Sequence, residues 1–259
     1  MGVSADILRL ESCASTNTEL LRLAETGAPA FTTVVAKHQS AGRGRAGHTW
    51  EAPAGTALLF STLLRPRVTV ETLPLATIAV GIAVCEAIRA ETGLPAGLKW
   101  PNDVLVHGRK CAGILCEGVP PRAGASAAIV AGVGINLTTP REFLPSRPIF
   151  PATSLALEGA PPPNPDTLLL RILDNLRLRL SHLEFPDEGR TLVARFRELD
   201  ALKGRVLRAE LPDGTSVEGP SLGISEDGSL QLQTPHGPLS ILAGSIFCTD
   251  GSPATHGLP

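Results

Sequence analysis

Between Val34 and Trp50 the chain reads VVAKHQSAGRGRAGHTW, a short β-branched run that opens into three glycines interleaved with two arginines. Gly42, Gly44 and Gly47 leave backbone without side-chain bulk, so amide N–H groups can approach an anion and the chain can adopt positive φ. Arg43 and Arg45 add planar, bidentate forks suited to carboxylate or phosphate, and together these features point to a polyanionic small ligand. The plainer alternative is a flexible basic surface turn. One familiar phosphate-binding loop is excluded, because no Gly-Lys-Ser/Thr ending is present.

A second stretch, LKWPNDVLVHGRKCAGILCEG from Leu98 to Gly118, places a lysine in an apolar strand immediately before Trp-Pro-Asn-Asp. Lys99 is either a strand-end residue that snorkels its ammonium into water or a cation aimed at the same ligand as the arginine loop.

The two stretches together resemble the biotin protein ligases, whose catalytic domain carries a GRGR-x-G loop ending in Trp and a downstream K-W-P-N-D strand end. The resemblance continues in Ser15-Thr16-Asn17, in Gln39, in Arg109-Lys110 followed by Ala112-Gly113-Ile114-Leu115, and in Gly132-Val133-Gly134-Ile135-Asn136. It covers most of the chain in the family's order. Ala46 and His48 depart from it, because many members have arginine there.

A length of 259 residues admits one large domain or one medium domain plus a small one. Hydrophobic residues at 43% and charged residues at 19% describe a soluble globular chain, and a net charge of −2 provides no field for nucleic acid. The five cysteines, Cys13, Cys85, Cys111, Cys116 and Cys248, show neither paired nor metal-type spacing and read as reduced core residues. Asp6, Arg9 and Glu11 near the start are unlike a signal peptide, and the apolar run 72–85 is too short for a bilayer that needs about 20 residues. A cytoplasmic location without membrane attachment is expected.

Hydrophobic periodicity and breakers predict strands at 7–10, 32–36, 57–64, 104–106, 111–116 and 127–135, with a hairpin through His107-Gly108-Arg109-Lys110. Helices are expected at 19–24, ended by Gly27 and Pro29, at 73–90, stopped at Gly93, at 166–185 and at about 190–199. Glycines at 113, 132 and 134 fall inside strands and argue for a narrow slot where backbone or ligand approaches closely. The proline-containing stretch 138–154 reads as a functional lid. After Lys203 short strands separated by Pro-Asp-Gly, Glu-Asp-Gly and His-Gly suggest a small β-barrel. The expected architecture is therefore α+β: a mixed sheet with helices, of the biotin/lipoate ligase catalytic type, plus a small C-terminal SH3-like β-barrel. Residues 1–201 would form the catalytic domain, 202–250 the barrel and 251–259 a tail.

The resemblance implies an ATP-dependent ligase that makes biotinyl-5′-AMP and passes the biotinyl group to one lysine of a biotin carboxyl carrier protein. Arg43, Arg45 and Lys99 would supply positive charge where carboxylate meets α-phosphate, with Lys99 and Arg45 catalytic. Ser15, Thr16, Asn17, Gln39 and the Arg43 amide are assigned to the ureido end of biotin, although Ser15, Thr16 or Asn17 could instead merely cap the first helix. Gly42, Gly44, Gly113 and Gly132 would line the pocket, with Trp50, Leu115 and Val133 as its walls. Asn102 and Asn136 are placed near the nucleotide. Phe143 or Phe150 would cover the adenine, unless both are ordinary core residues. ATP implies Mg²⁺, for which no ligand is named; Asp103 is the one candidate, or else caps the turn after Asn102. No DNA-binding segment is expected ahead of the catalytic part, and the partners allow for a second copy of the chain as a homodimer. The alternatives are a lipoate or octanoate ligase or transferase of the same fold, and a non-catalytic biotin- or nucleotide-binding regulator.

Overall fold

The computed structural model describes residues 6–66, 73–119, 128–145, 150–184 and 186–249. Expectations that fall on Ala127, Phe185, residues 146–149 and the tail lie outside these.

Seven strands form one mixed sheet in the order β1-β2-β3-β7-β6-β5-β4. They are β1 Ile7–Cys13, β2 Thr33–Gln39, β3 Ala57–Leu64, β4 Ala96–Lys99, β5 Asp103–Val106, β6 Arg109–Val119 and β7 Ala128–Asn136. Only β1 and β2 run parallel; the remaining neighbours are antiparallel. The central strands β3 and β7 are buried along their whole length, since helices cover the sheet on both faces. That is why ALLFSTLL and AIVAGVGIN read as nearly continuous apolar runs rather than alternating ones.

On one face lies α1, Thr16–Glu25, which packs Leu20 and Ala24 on Val34, Leu63 and Val130. On the other lie α2 Leu73–Thr92, α3 Pro165–Glu184 and α4 Pro186–Leu199, around a larger core that includes Phe60, Ile82, Ile88, Ile114, Val133 and Leu173. Gly93, at φ +71°, ends α2 by returning its N–H to the Arg89 carbonyl at 2.9 Å, the left-handed stop anticipated from its position. Among these helices the Glu86 carboxylate receives both Arg179 and Arg195.

The α1 start differs from the expected one by three residues. Ser15 occupies the N-cap position, yet its hydroxyl makes no capping bond. The cap comes from another strand: Gln39 Oε1 accepts the Thr16 N–H at 2.7 Å and the Thr16 hydroxyl at 3.1 Å.

Five further strands, β8 Val206–Glu210, β9 Ser216–Ile224, β10 Leu230–Thr234, β11 Gly237–Ile241 and β12 Ser245–Cys248, form an antiparallel sheet ordered β11-β10-β9-β8-β12, consistent with a small SH3-like fold. It is fastened beside the first sheet. Trp100 Nε1 donates to the Gly228 carbonyl at 2.9 Å, and Arg197 to the Ile224 carbonyl at 2.8 Å. The cysteines carry no disulfide, and Cys13 and Cys116 are only partly buried, so the core assignment holds for the other three.

Candidate active site

Two polar clusters lie on the α1 face of the large sheet, at either end of the Trp50 indole. The first gathers at the start of α1. Ser61, fully buried on β3, donates to Thr16 Oγ1 at 2.7 Å and reaches Asn17 Oδ1 at 2.5 Å. Asn17 Nδ2 donates in turn to the Leu115 carbonyl at 3.2 Å and to Glu117 at 2.6 Å, and Glu117 also holds Arg43 at 2.6 Å. Gln39 completes the group through Thr16. Thr16, Asn17 and Ser61, buried and uncharged, together with Gln39 are suited to a polar, uncharged ring system, with the Glu117–Arg43 ion pair at the outer edge of the group.

The second cluster is ionic and sits where β4 turns into β5. Lys99, 9% exposed, meets Asp103 at 3.1 Å, and Lys110 meets the other oxygen of that carboxylate at 2.5 Å. Burial alone would push the Asp103 carboxyl up, but the two ammonium groups override it and hold the group below the usual carboxylate range. Two cations against one anion leave this pocket with an excess positive charge. Arg45 reaches the same corner, donating to Asn102 Oδ1 at 3.3 Å. Burial lowers its pKa, opposed by the Asp103 charge; a guanidinium nevertheless stays ionised. The Phe150 ring lies 5.1 Å from the Lys99 ammonium.

Trp50 joins the two clusters, and the strand glycines explain how. A methyl group on Gly134 would stand 2.5 Å from the indole, and one on Gly132 would stand 2.1 Å from Asn17 Oδ1. The close approach anticipated at these glycines is therefore made by the chain's own Trp50 and Asn17, with Gly113 also lying under the indole. The indole N–H is buried and has no acceptor among the described residues.

Several sequence expectations need correction. Val133 does not face the two clusters with its side chain: it alternates with Gly132 and Gly134, so it points through the sheet into the core under α2. Asn136 donates to the Thr153 carbonyl at 3.0 Å and accepts from Thr139 at 3.2 Å, so both ends of its amide already have a partner within the chain. Asn102 uses its amide on the Ile114 carbonyl at 2.8 Å, leaving its oxygen for Arg45. The glycine loop is less bare than expected: Gly44 N–H bonds to His48 O at 2.7 Å and Trp50 N–H to Gly42 O at 3.0 Å. Only Gly47 of its three glycines has positive φ, while Gly42 is needed because Trp50 O would lie 2.2 Å from a Cβ. Of the candidate adenine covers, Phe143 is 56% exposed and Phe150 packs on the core. The 138–154 stretch, expected to act as a lid, is anchored where Thr139, Thr153 and Ser154 are buried.

Sequence reasoning missed Ser61, Glu117 and Lys110. Lys110 had a signal, its place directly before the Ala-Gly-Ile-Leu strand. No three His, Cys, Asp or Glu side chains gather to hold a metal among the described residues, and Asp103, with both oxygens taken by lysines, does not fit a cation.

The biotin/lipoate A/B protein ligase family model matches residues 10–136, the span holding both clusters. A biotin–[acetyl-CoA-carboxylase] ligase of Mycobacterium tuberculosis is 35% identical across 90% of this chain and 85% of its own length. The chain belongs to this ligase family. A second member, the bifunctional ligase/repressor BirA of Bacillus spizizenii, is 32% identical across 90% of this chain and 70% of its own. Among solved ligase structures, that of the Aquifex aeolicus biotin protein ligase in complex with biotin and ATP superposes with a TM-score of 0.78, at 26% identity, covering 94% of this chain and 99% of that one. Family membership thus extends over both sheets, beyond the matched residues 10–136.

Proposed function

We propose that this chain activates biotin with ATP and transfers the biotinyl group to a lysine of a biotin carboxyl carrier protein. The observation that carries the reading is the order of groups on one face of the sheet: Thr16, Asn17, Gln39 and Ser61 at the start of α1, Trp50 over Gly113 and Gly134, and Lys99 and Lys110 beyond it. Biotin has the matching order: a ureido ring, an apolar body and a carboxylate tail.

In the first step a carboxylate oxygen of biotin attacks the α-phosphorus of ATP. A mixed anhydride, biotinyl-5′-AMP, forms and pyrophosphate leaves. Two anions must approach one another, so fixed positive charge near both is the main requirement. Lys99 and Lys110, anchored on Asp103, supply it from the sheet, while Arg45 supplies it from the loop. Thr16, Asn17, Gln39 and Ser61 hold the ureido end, and holding both reactants in line removes an entropic part of the barrier. In the second step the neutral amine of the acceptor lysine attacks the acyl carbon, forming an amide and releasing AMP. Magnesium would arrive on the ATP phosphates, with no protein ligand assigned to it.

The same proposal treats residues 1–201 as the catalytic unit and 202–250 as a second unit. It also places the protein in the cytoplasm with no nucleic-acid partner. Among the described residues no helix is long and apolar enough to cross a membrane.

Mixing the protein with biotin and ATP should release pyrophosphate in an amount matching the enzyme on the first turnover. Lipoate in place of biotin should release none. Pyrophosphate with lipoate but not biotin would transfer the reading to the lipoate branch of the family, and none with either would leave a binding protein.

A further inference from the structure

Arg109 stands in the sequence motif beside Lys110, but strand alternation points it away from the two clusters. Its guanidinium makes a two-pronged contact with Glu158, from Nε at 2.7 Å and from Nη2 at 2.8 Å. The Glu158 side chain is 1% exposed, and its carboxylate also accepts the Thr153 hydroxyl and faces His107 Nδ1 at 2.9 Å. Burial raises the Glu158 carboxyl, yet these donors, Arg109 first, hold it below its ordinary value, so it remains ionised. The Arg109 side chain is 38% exposed, and a half-open ion pair of this kind contributes little to the stability of a fold by itself, so its presence calls for a positional reason.

That reason lies in what the pair fastens. Residues 151–158 form a strap laid along the start of β6. The Lys110 N–H bonds to Pro151 O at 2.9 Å and the Thr153 N–H to Lys110 O at 2.8 Å, a parallel bridge with Ala152 between them. Both backbone polar groups of Lys110 are thus held by the strap. On its other side the strap is bonded to the end of β7, through Leu155 N–H to Asn136 O and Ala156 N–H to Leu137 O, both at 3.0 Å. Where the strap begins, Phe150 adopts φ +53° and brings its ring near Lys99.

We propose that Glu158 is a positioning residue for the adenylation step: clamped by Arg109 and Thr153, it fixes the strap that aims Lys110 at Asp103 and Phe150 at Lys99. This rests on the proposed biotin-activating function and assigns Glu158 no contact with substrate. A displacement of about 1 Å at a reacting group costs on the order of a hundredfold in rate. The polar cluster at the start of α1 meets β6 at Leu115 and Glu117, away from the Lys110 end where the strap is bonded.

The test compares wild type with Glu158→Gln in two assays: single-turnover pyrophosphate release from biotin and ATP, and calorimetric binding of biotinol, the alcohol that keeps the ureido ring but lacks the carboxylate. Pyrophosphate release should fall about tenfold to a hundredfold while biotinol affinity stays within twofold. Arg109→Gln should give a similar loss, and the double variant should be no slower than the slower single one, because the two act as a unit. If Glu158→Gln does not fold, Arg109→Lys, which keeps the charge and loses the fork, takes its place in the same two assays. An unchanged rate overturns the proposal, as does an equal loss of rate and of biotinol affinity, which would mark general damage. Wild-type protein that releases no pyrophosphate would instead overturn the biotin-activating reading itself.

Discussion

Lys99 illustrates how one residue's surroundings decide its role. In an exposed strand end its ammonium would be solvated and its loss would matter little. Here it is 9% exposed and shares Asp103 with Lys110, so its charge acts in a region where water screens weakly. Lys99→Ala leaves Asp103 still paired to Lys110, so the fold should persist. Adenylate formation in single-turnover kinetics should fall by about 10²–10³, the usual effect of removing one preorganised electrostatic donor, and an unaltered rate would refute the assignment. Arg45 differs in being held by a single bond to Asn102. Arg45→Gly should let the adenylate escape, read as biotin appearing on bystander lysines of an added unrelated protein; weaker biotin binding without such leakage would contradict this role. The residues readable in advance were those whose chemistry is anomalous for their place: a lysine in an apolar strand, arginines among glycines. Ser61, Glu117 and Glu158 were not readable, because each looks ordinary in its own segment and acquires its role only from partners 44 or 100 positions away for the first two, and 49 for the last. Val133 was misplaced for a different reason. The glycines on either side of it already announced which face of β7 carries the site.

At the scale of elements, strands and helices followed their apolar spacing closely, because a sheet covered on both faces leaves little freedom in which residues are buried. The connections were harder. The glycines of the 42–48 loop point to a backbone open to an anion and the prolines of 138–154 to a lid, yet backbone bonds already close the first, and burial fixes both ends of the second. Ala46 and Gly47 of the 45–47 turn are exposed, as is Phe143, so these parts have the least to lose from opening. Hydrogen exchange should therefore show slowing at Arg43–Gly47 and around Phe143 on adding biotin and ATP, with the amides of Thr153, Leu155 and Ala156 already slow in the empty protein. Identical exchange in both states across 43–47 would remove any ordering step, whereas fast exchange at Leu155 in the empty protein would mean that the strap is not preformed.

For the whole molecule the question is how the second sheet is held against the first, and the join runs through the strand that carries Lys99. After α4 the chain makes a single bridge beside β4, with the Ala201 N–H on Leu98 O at 2.8 Å. One residue earlier, Asp200 is 5% exposed, and its carboxylate accepts the Leu202 N–H at 2.9 Å. Burial pushes this carboxyl up to about 6 from an ordinary 3.8; the Leu202 N–H and the Lys203 charge pull the other way but do not restore it. A carboxyl with a raised folded pKa binds its proton more tightly in the native state than in the unfolded chain. Native protein therefore holds more protons than unfolded protein between pH 3.8 and about 6, and stability from this group falls as pH rises through that window, then levels off. The full loss is on the order of 3 kcal/mol, because each tenfold change in proton affinity is worth about 1.4 kcal/mol. Asp200→Asn keeps an oxygen for the Leu202 N–H and removes the titration. Urea unfolding at pH 4.5, 6 and 7.5, chosen to bracket this window at roughly even intervals, should show the variant gaining on the parent from the lowest value to about 6 and holding a constant lead above it. A difference that stays the same at all three would mean that Asp200 ionises at its ordinary pKa, and that the join between the sheets is wetter than its burial implies.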